Sequence, residues 1–535
     1  MKRLALLSAL ATSANAAFSF PKTYLALLGP VYQAQLNPSA NAFVNAEAQA
    51  RKAVQQAVST GNTSYGVLDT TDTSFSASVF ILTEETIYRT GSMAKLLTMY
   101  IWMVDIGDDV FNDPITKYIP ELAHAANSST YTPFSVNWRE VIIGALATVL
   151  HCIFKFHTVH TGDLALTTFT LPPVAEDVLL GYPPLNETVP QCNFYGPQKT
   201  CSRKQLLDGV IQHPPVYPSY ITPVYSNLAI AILALAYEEI TGIPFDAGFS
   251  RIFNEKLGLS STYRYPPPGA DAIIPHNDSF SLFSSDLGLE APAGGEYTST
   301  KDLRVIGQSI LSSALLPSYI TRRWMKPRKV QANTIINAGR DVGKYSTFIG
   351  LVPDYNIGMT ILAAWNAPDS SVYAIRDTIV DIFYPAAETA TKEKSEKAFT
   401  GTFAANDRNS SITLAIEGGL GVAITSLVSN GTDFLTGILA AYSDFRLYPT
   451  EQHTSRGRDG LTFYLYHLNS LQQNGEPFTQ DFSAVFNNEW LMVDSLNYIN
   501  LATDTFTIGF DKQGVVQSVR CQALRSTMYR SADWI

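Results

Sequence analysis

Apolar residues fall along this chain in two rhythms, three or four apart in some stretches and two apart in others, and each rhythm predicts its own element. Residues 41–59 carry helix formers at helical spacing. A short strand is predicted at 67–69. A better one follows at 75–83, with Phe75, Ala77, Val79 and Ile81 on one face. The unbroken apolar run 96–104, ending near Gly107, predicts a buried helix with Ser92 at its first turn. Residues 112–122 are a proline-punctuated connection, and 136–150 read as helical. Over 151–160 the period is lost, and 170–223, dense in prolines and turn residues, reads as a loop-rich cover. The run 228–242 is a strongly apolar helix with Gly242 as its stop. A glycine turn at 294–295 precedes a helix capped at Ser299 or Thr300. Strands are expected at 334–339 and across 345–363, with a turn at 353–356, and a last helix at 371–384. Short strands then alternate with turns at 412–416, 421–427, 435–441, 445–449, 461–468 and 505–510, the rhythm of an antiparallel barrel or sandwich.

At 535 residues the chain is too long for one compact core. The change in rhythm places the boundary in an Ala-, Glu- and Lys-rich stretch. The expected division is a signal segment 1–16, a domain 17–385, a linker 386–398 and a β domain 399–535. Hydrophobic residues make up 46% and charged ones 16%, which excludes general disorder. The net charge, 37 − 47 = −10 with no basic cluster, leaves no electrostatic footprint for nucleic acid. Lys2 and Arg3, a short apolar stretch and Ala14-Asn15-Ala16 read as a cleavable secretory signal, too short to span a bilayer. Six N-x-S/T acceptors, at Asn62, Asn127, Asn186, Asn277, Asn409 and Asn430, agree with export. Secretion and glycosylation are therefore expected, with no transmembrane anchor. Of four cysteines, Cys192 and Cys201 flank a Gly/Pro loop that a disulfide would close; Cys152 and Cys521 have no evident partners.

Chemistry concentrates in two places. Ser92 and Lys95 stand three apart where a helix opens, so both side chains share one face. A lysine held beside a serine in a place that discourages its charge can take the hydroxyl proton. Tyr225-Ser226-Asn227 comes just before the second strongly apolar helix, where a rigid element displays side chains well. His151, Cys152, His157 and His160 have no regular ligand spacing, so an irregular surface segment is expected there and no metal site is assigned.

Taken together, Ser92-Met93-Ala94-Lys95 and Tyr225-Ser226-Asn227 resemble the first two motifs of the serine β-lactamase and penicillin-binding-protein-like family, in its class C and D-alanyl carboxypeptidase branch. Asp113-Pro114, Lys117-Tyr118-Ile119-Pro120 and the stretch from Pro292 to Leu303 support it. More narrowly the chain resembles secreted fungal β-lactamase-like proteins. The resemblance implies an α+β fold, a mixed sheet covered by helices, with a C-terminal antiparallel barrel or sandwich. It implies a cofactor-free acyl transfer in which Ser92 attacks a carbonyl, Lys95 and Tyr225 move protons, and Asn227 positions Lys95 and the substrate. The oxyanion would lie between the backbone N–H groups of Ser92 and Arg340. The third motif departs from the family: Asn337-Ala338-Gly339 keeps the glycine but lacks the usual cation and hydroxyl. Asn337 carries no charge for a substrate carboxylate, which favours an ester or another neutral small-molecule acyl substrate over penicillins. A second departure is the 151–160 stretch, either a rebuilt lid or a mis-joined exon. Three functions follow: a secreted serine hydrolase or acyltransferase, an inactive relative used for binding, or a surface-binding protein that works through its β domain.

Overall fold

The computed structural model describes residues 40–57, 62–69, 75–78, 83–128, 135–147, 200–212, 226–275, 281–325, 336–338, 344–353, 355–364, 370–405, 408–417, 421–437, 439, 442–454, 460–472, 497–499 and 501–531. The chain divides into two compact units, with the break at residue 388.

In the first unit, α1 (Asn41–Ala57) leads to β1 (Asn62–Asp69), β2 (Phe75–Ser78) and the two-residue strand β3 (Tyr88–Arg89). A 3₁₀ turn, Gly91–Met93, runs into α2 (Ala94–Asp105). Next come α3 (Pro120–Ser128), α4 (Ile143–Ala147), α5 (Arg203–Gln212), α6 (Asn227–Thr241) and α7 (Phe245–Phe249), the last prolonged by a π-helical stretch, Ser250–Lys256. Then follow α8 (Ala291–Gly294), β4 (Tyr297–Thr298), α9 (Thr300–Leu311), α10 (Ser318–Met325), β5 (Ile336–Ala338), β6 (Tyr345–Val352), β7 (Ile357–Ala364) and α11 (Ser370–Phe399).

The sheet of this unit is five-stranded and antiparallel, in the order β2-β1-β7-β6-β5. Every residue of β6 and β7 is buried, so these strands read as continuous apolar runs covered on both faces. The strand period of two sorts their side chains. Phe348, Met359, Ile361 and Ala363 pack with Ala50 and Val54 of α1 and with Ile375, Ile379 and Phe383 of α11. Tyr345, Ile349, Leu351 and Leu362 point the other way, into the large helical core of α2, α6 and their neighbours. The unit is thus helices, sheet, helices, the layering expected when each face of a sheet needs an apolar cover.

Three expectations are corrected. Residues 136–142 are not helical; among the described residues of 136–150, Ile143–Ala147 is the helix. Their apolar side chains Val136, Trp138 and Val141 are buried, but the backbone pairs with 113–115 instead: Ile115 N–H donates to Val141 O (2.7 Å) and Ile143 N–H to Asp113 O (2.9 Å). The last helix does not stop at 384. It passes through Pro385 to Phe399, so the stretch read as a linker is helical, with Ala387, Ala390 and Ser395 buried. Lastly, the described residues of 435–441, namely 435–437 and Leu439, lie in turns and not in a strand: Asp433 accepts from the N–H groups of Leu435 and Thr436, which turns the chain there.

In the second unit, β8 (Gly401–Ala405), β9 (Ser410–Ala415), β10 (Val422–Ser429), β11 (Thr432–Asp433), β12 (Tyr442–Thr454), β13 (Thr462–Gln472), β14 (Asn497–Tyr498), β15 (Leu501–Ala502), β16 (Thr505–Phe510), β17 (Val516–Cys521) and β18 (Ser526–Arg530) follow in order. The chain of antiparallel pairings β10-β12-β13-β16-β17-β18-β8-β9 closes when β9 pairs with β10, giving an eight-stranded barrel, with β11 hanging on β10. Closure leaves these strands no open edge. Its interior is filled by Phe403, Ile412, Leu447, Tyr466, Phe506, Val519 and their neighbours. The choice between barrel and sandwich is therefore barrel. Strands β8, β17 and β18 were not anticipated from the sequence.

Candidate active site

Ser92 lies in the 3₁₀ turn that opens α2, preceded by Gly91 in the left-handed region (φ 53°). Glycine adopts that conformation without the clash a Cβ would bring. Ser92 is therefore two residues short of the α-helix, and Lys95 is the helix's second residue. The three-residue spacing still brings them together, because a 3₁₀ turn also aligns positions i and i+3. Lys95 Nζ donates to Ser92 Oγ at 3.1 Å and to the backbone carbonyl of Ala293 at 2.6 Å. Ser92 is partly exposed, whereas Lys95 is 1% exposed.

The apolar face of α2 holds the pair in place, and α8 supplies a floor. Thr98, one turn beyond Lys95, donates to Pro292 O at 2.7 Å, so α2 anchors to successive carbonyls of α8 through two side chains on one face. Helix-end carbonyls have no partner within their own helix and accept such donors readily. Ahead of Ser92, β3 pairs with β4, Tyr88 opposite Thr298 and Arg89 opposite Tyr297. The pairing extends one step further: Thr90 N–H and Thr90 Oγ1 both donate to Glu296 O, each at 2.9 Å. Thr347 of β6 donates to Thr90 O at 2.5 Å. Buried Arg89 gives its Nη2 to Ser285 O (2.7 Å) and its Nη1 to Leu282 O and Phe283 O. The turn that carries Ser92 is thus fixed to β4, β6 and the 282–285 segment.

Ser226 is buried at the N-cap of α6, its Oγ accepting from Ala229 N–H at 3.1 Å. Asn227, partly exposed, is the first residue of that helix and lies inside it, not in the loop ahead of it. At the far end Gly242 is left-handed (φ 72°) and its N–H donates to Glu238 O, the expected stop. Helix α6 packs against α2 and α8, which places its start in the same helical layer as the Ser92–Lys95 pair. Tyr225 lies outside the described residues. Asn337 and Ala338 form the last two residues of β5, opposite Gly350 and Ile349 of β6, and β6 packs on the Ser92 turn. Gly339 and Arg340 lie outside the described residues, as do the signal segment, 151–160 and Cys192. Cys201 is disulfide-bonded, and Cys521 is a free, buried thiol in the barrel.

Two acids that sequence reading had not singled out, Glu290 and Glu296, flank α8 and are buried (2% and 0% exposed). Burial raises each carboxyl to about 8 against the opposing pull of nearby cations, Lys95 for Glu290 and Arg264, then Lys95, for Glu296. Glu296 stood within the quoted 292–303 stretch, yet an isolated acid after a double glycine reads as a surface residue. Nothing local reveals its burial.

A partly exposed serine thus stands against a buried lysine at the head of a core helix. The β-lactamase family model matches residues 42–382, and the chain belongs to that family. A second family model, described as a "Beta-lactamase-like-like, C-terminal domain", matches residues 391–532. A "Beta-lactamase-like protein" of Arthroderma benhamiae is 25% identical over 495 residues, covering 82% of this chain and 80% of the relative. "Probable hydrolase M10" of a Phoma species is 24% identical over 66% of this chain and 62% of its own length. "Probable hydrolase clz13" of Cochliobolus lunatus is 23% identical, at 66% and 63%. The chain spans less than two thirds of the length of these last two relatives.

Proposed function

We propose that the protein is a secreted serine hydrolase or acyltransferase that works through an acyl-enzyme on Ser92, with a preference for neutral acyl substrates such as esters. The observation that carries this reading is the 3.1 Å contact between Lys95 Nζ and Ser92 Oγ with the lysine almost wholly buried. A buried ammonium is costly, which favours the neutral amine a general base requires. In that form one N–H of Lys95 stays on Ala293 O and the lone pair accepts the Ser92 proton. The Ser92 oxygen then bonds to the substrate carbonyl carbon, and the displaced electron pair rests on the carbonyl oxygen as an oxyanion. Backbone N–H groups of Ser92 and, by family likeness, Arg340 stabilise it. Collapse expels the alcohol or amine, which takes back a proton through Lys95 and Tyr225. Water or an acceptor alcohol then repeats the sequence on the acyl-enzyme. Two relatives carry the words "probable hydrolase", which supports the reaction class.

The test is labelling by a fluorophosphonate probe on the purified chain. Ser92→Ala is expected to abolish labelling, with intact-peptide mass analysis locating the adduct on Ser92 in the parent. Lys95→Ala is expected to slow it by about a hundredfold to ten-thousandfold. Full labelling of Ser92→Ala sinks the assignment.

A further inference from the structure

Glutamate is seldom fully buried without a partner. Here two are buried, at either end of one short helix, with carboxyl oxygens left unsatisfied. Glu290 immediately precedes α8, and Glu296 follows it by two residues. Among the described residues, Glu290 Oε1 and both carboxyl oxygens of Glu296 have no hydrogen-bond partner. Such groups cost free energy, and a fold that keeps them asks for a reason. Their position supplies one. The helix between them is the one that receives Lys95 Nζ and Thr98 Oγ1. The backbone of Glu296 holds Thr90, two residues ahead of Ser92.

We propose that Glu296 and Glu290 are positioning acids that act on Lys95, setting how tightly it holds its proton and so the pH at which Ser92 becomes nucleophilic. This rests on the Ser92–Lys95 reading above. Neither acid touches the substrate; each acts through the lysine. The groups that bear on Glu296 are Lys95 of α2, Arg264 beyond the π-helical stretch, and Asp246 of α7. The two cations favour its ionised form and Asp246 opposes it. Arg264 Nε is itself paired with Asp246 Oδ1 at 3.0 Å, which partly spends its charge. Lys95 is the charged group that bears on Glu290. The coupling is mutual. An ammonium that favours a carboxylate is favoured by it in return. As each carboxyl loses its proton near pH 8, the new anion retains the proton on Lys95, so the neutral amine appears at a higher pH than it would beside an amide.

The experiment follows fluorophosphonate labelling of Ser92 in the full chain from pH 5 to 10, in the parent, Glu296→Gln and Glu290→Gln. Each glutamine keeps the shape and cannot ionise. The expected result is a labelling midpoint lowered by about one pH unit in at least one variant. An unmoved midpoint with Ser92-dependent labelling overturns this inference alone, including where the rate falls equally at every pH, the mark of a merely structural role. Absence of Ser92-dependent labelling overturns the proposed function, and this inference with it. A second readout needs no catalysis. A carboxyl raised from 4.5 to about 8 by folding binds a proton more tightly in the folded chain. Its contribution is present below pH 4.5 and is lost as pH rises toward 8. Glutamine has no such loss. The melting temperature of Glu296→Gln relative to the parent is therefore expected to climb from pH 5 to 8, and a gap that stays flat overturns the inference.

Discussion

Lys95 and Asn337 mark opposite outcomes of reading single residues. The Ser92–Lys95 contact was legible because i, i+3 alignment survives the change from α-helix to 3₁₀ turn, so an error in the local element did not matter. The burial of Glu296 was not legible. It depends on β3 meeting β4, a pairing across some two hundred residues that no window of sequence contains. Asn337 gives the residue-scale prediction. It lies in a strand beside the one that packs on the Ser92 turn, and it carries no charge. Asn337→Lys is expected to raise kcat/KM for carboxylate-bearing penicillins relative to neutral esters by roughly tenfold to a hundredfold, the worth of one hydrogen bond to a charged group. The measured quantity is the ratio of the two substrate classes, with Ser92 labelling intact. Efficient penicillin turnover by the parent contradicts the neutral-pocket reading.

Elements were legible where a single physical term dominated. Helix α6 is apolar and buried all round from Leu228 to Ala236, and its cap and stop fall where serine and a left-handed glycine put them. Residues 136–142 also carry buried apolar side chains, but there the backbone found a better partner in 113–115 than in its own helix, and periodicity does not register that competition. Helix α11 continues through Pro385 because packing of Phe383, Ala386 and Ala387 on either side holds the turn that proline weakens. The cap of α6 gives the element-scale prediction. Ser226 Oγ satisfies the Ala229 N–H in a site closed to water, so Ser226→Ala leaves that donor without a partner. The expected loss is about 1–2 kcal/mol in urea unfolding of the first unit. Because α6 packs on α2 and α8, the rate of Ser92 labelling is expected to fall as well. A stability change near zero shows that the cap is not what starts this helix.

At the scale of the whole molecule, each unit owns a separate apolar core, and α11 contributes to both. Ile375, Ile379 and Phe383 belong to the sheet-covering core of the first unit, whereas Ala398 and Phe399 belong to the barrel. The strand-turn rhythm made the barrel legible as a class. It did not reveal that the barrel borrows its plug from the preceding helix, because 386–398 has the composition of a linker. Phe399 is 1% exposed and meets Tyr466 and Phe510 edge-on, with ring centroids 5.9 and 5.4 Å away. Removing a buried phenyl ring costs about 3–5 kcal/mol. In a unit of this size, Phe399→Ala is then expected to lower the melting transition of the barrel by about 10 °C. Ser92 labelling at 25 °C is expected to be unchanged, since the described hydrogen bonds that hold the Ser92 turn are made within the first unit. Scanning calorimetry with labelling on the same preparation decides the matter. Two transitions, of which only one moves, agree with separate cores; a common shift of both, or loss of labelling at 25 °C, means that the hydrolase unit depends on the barrel to fold.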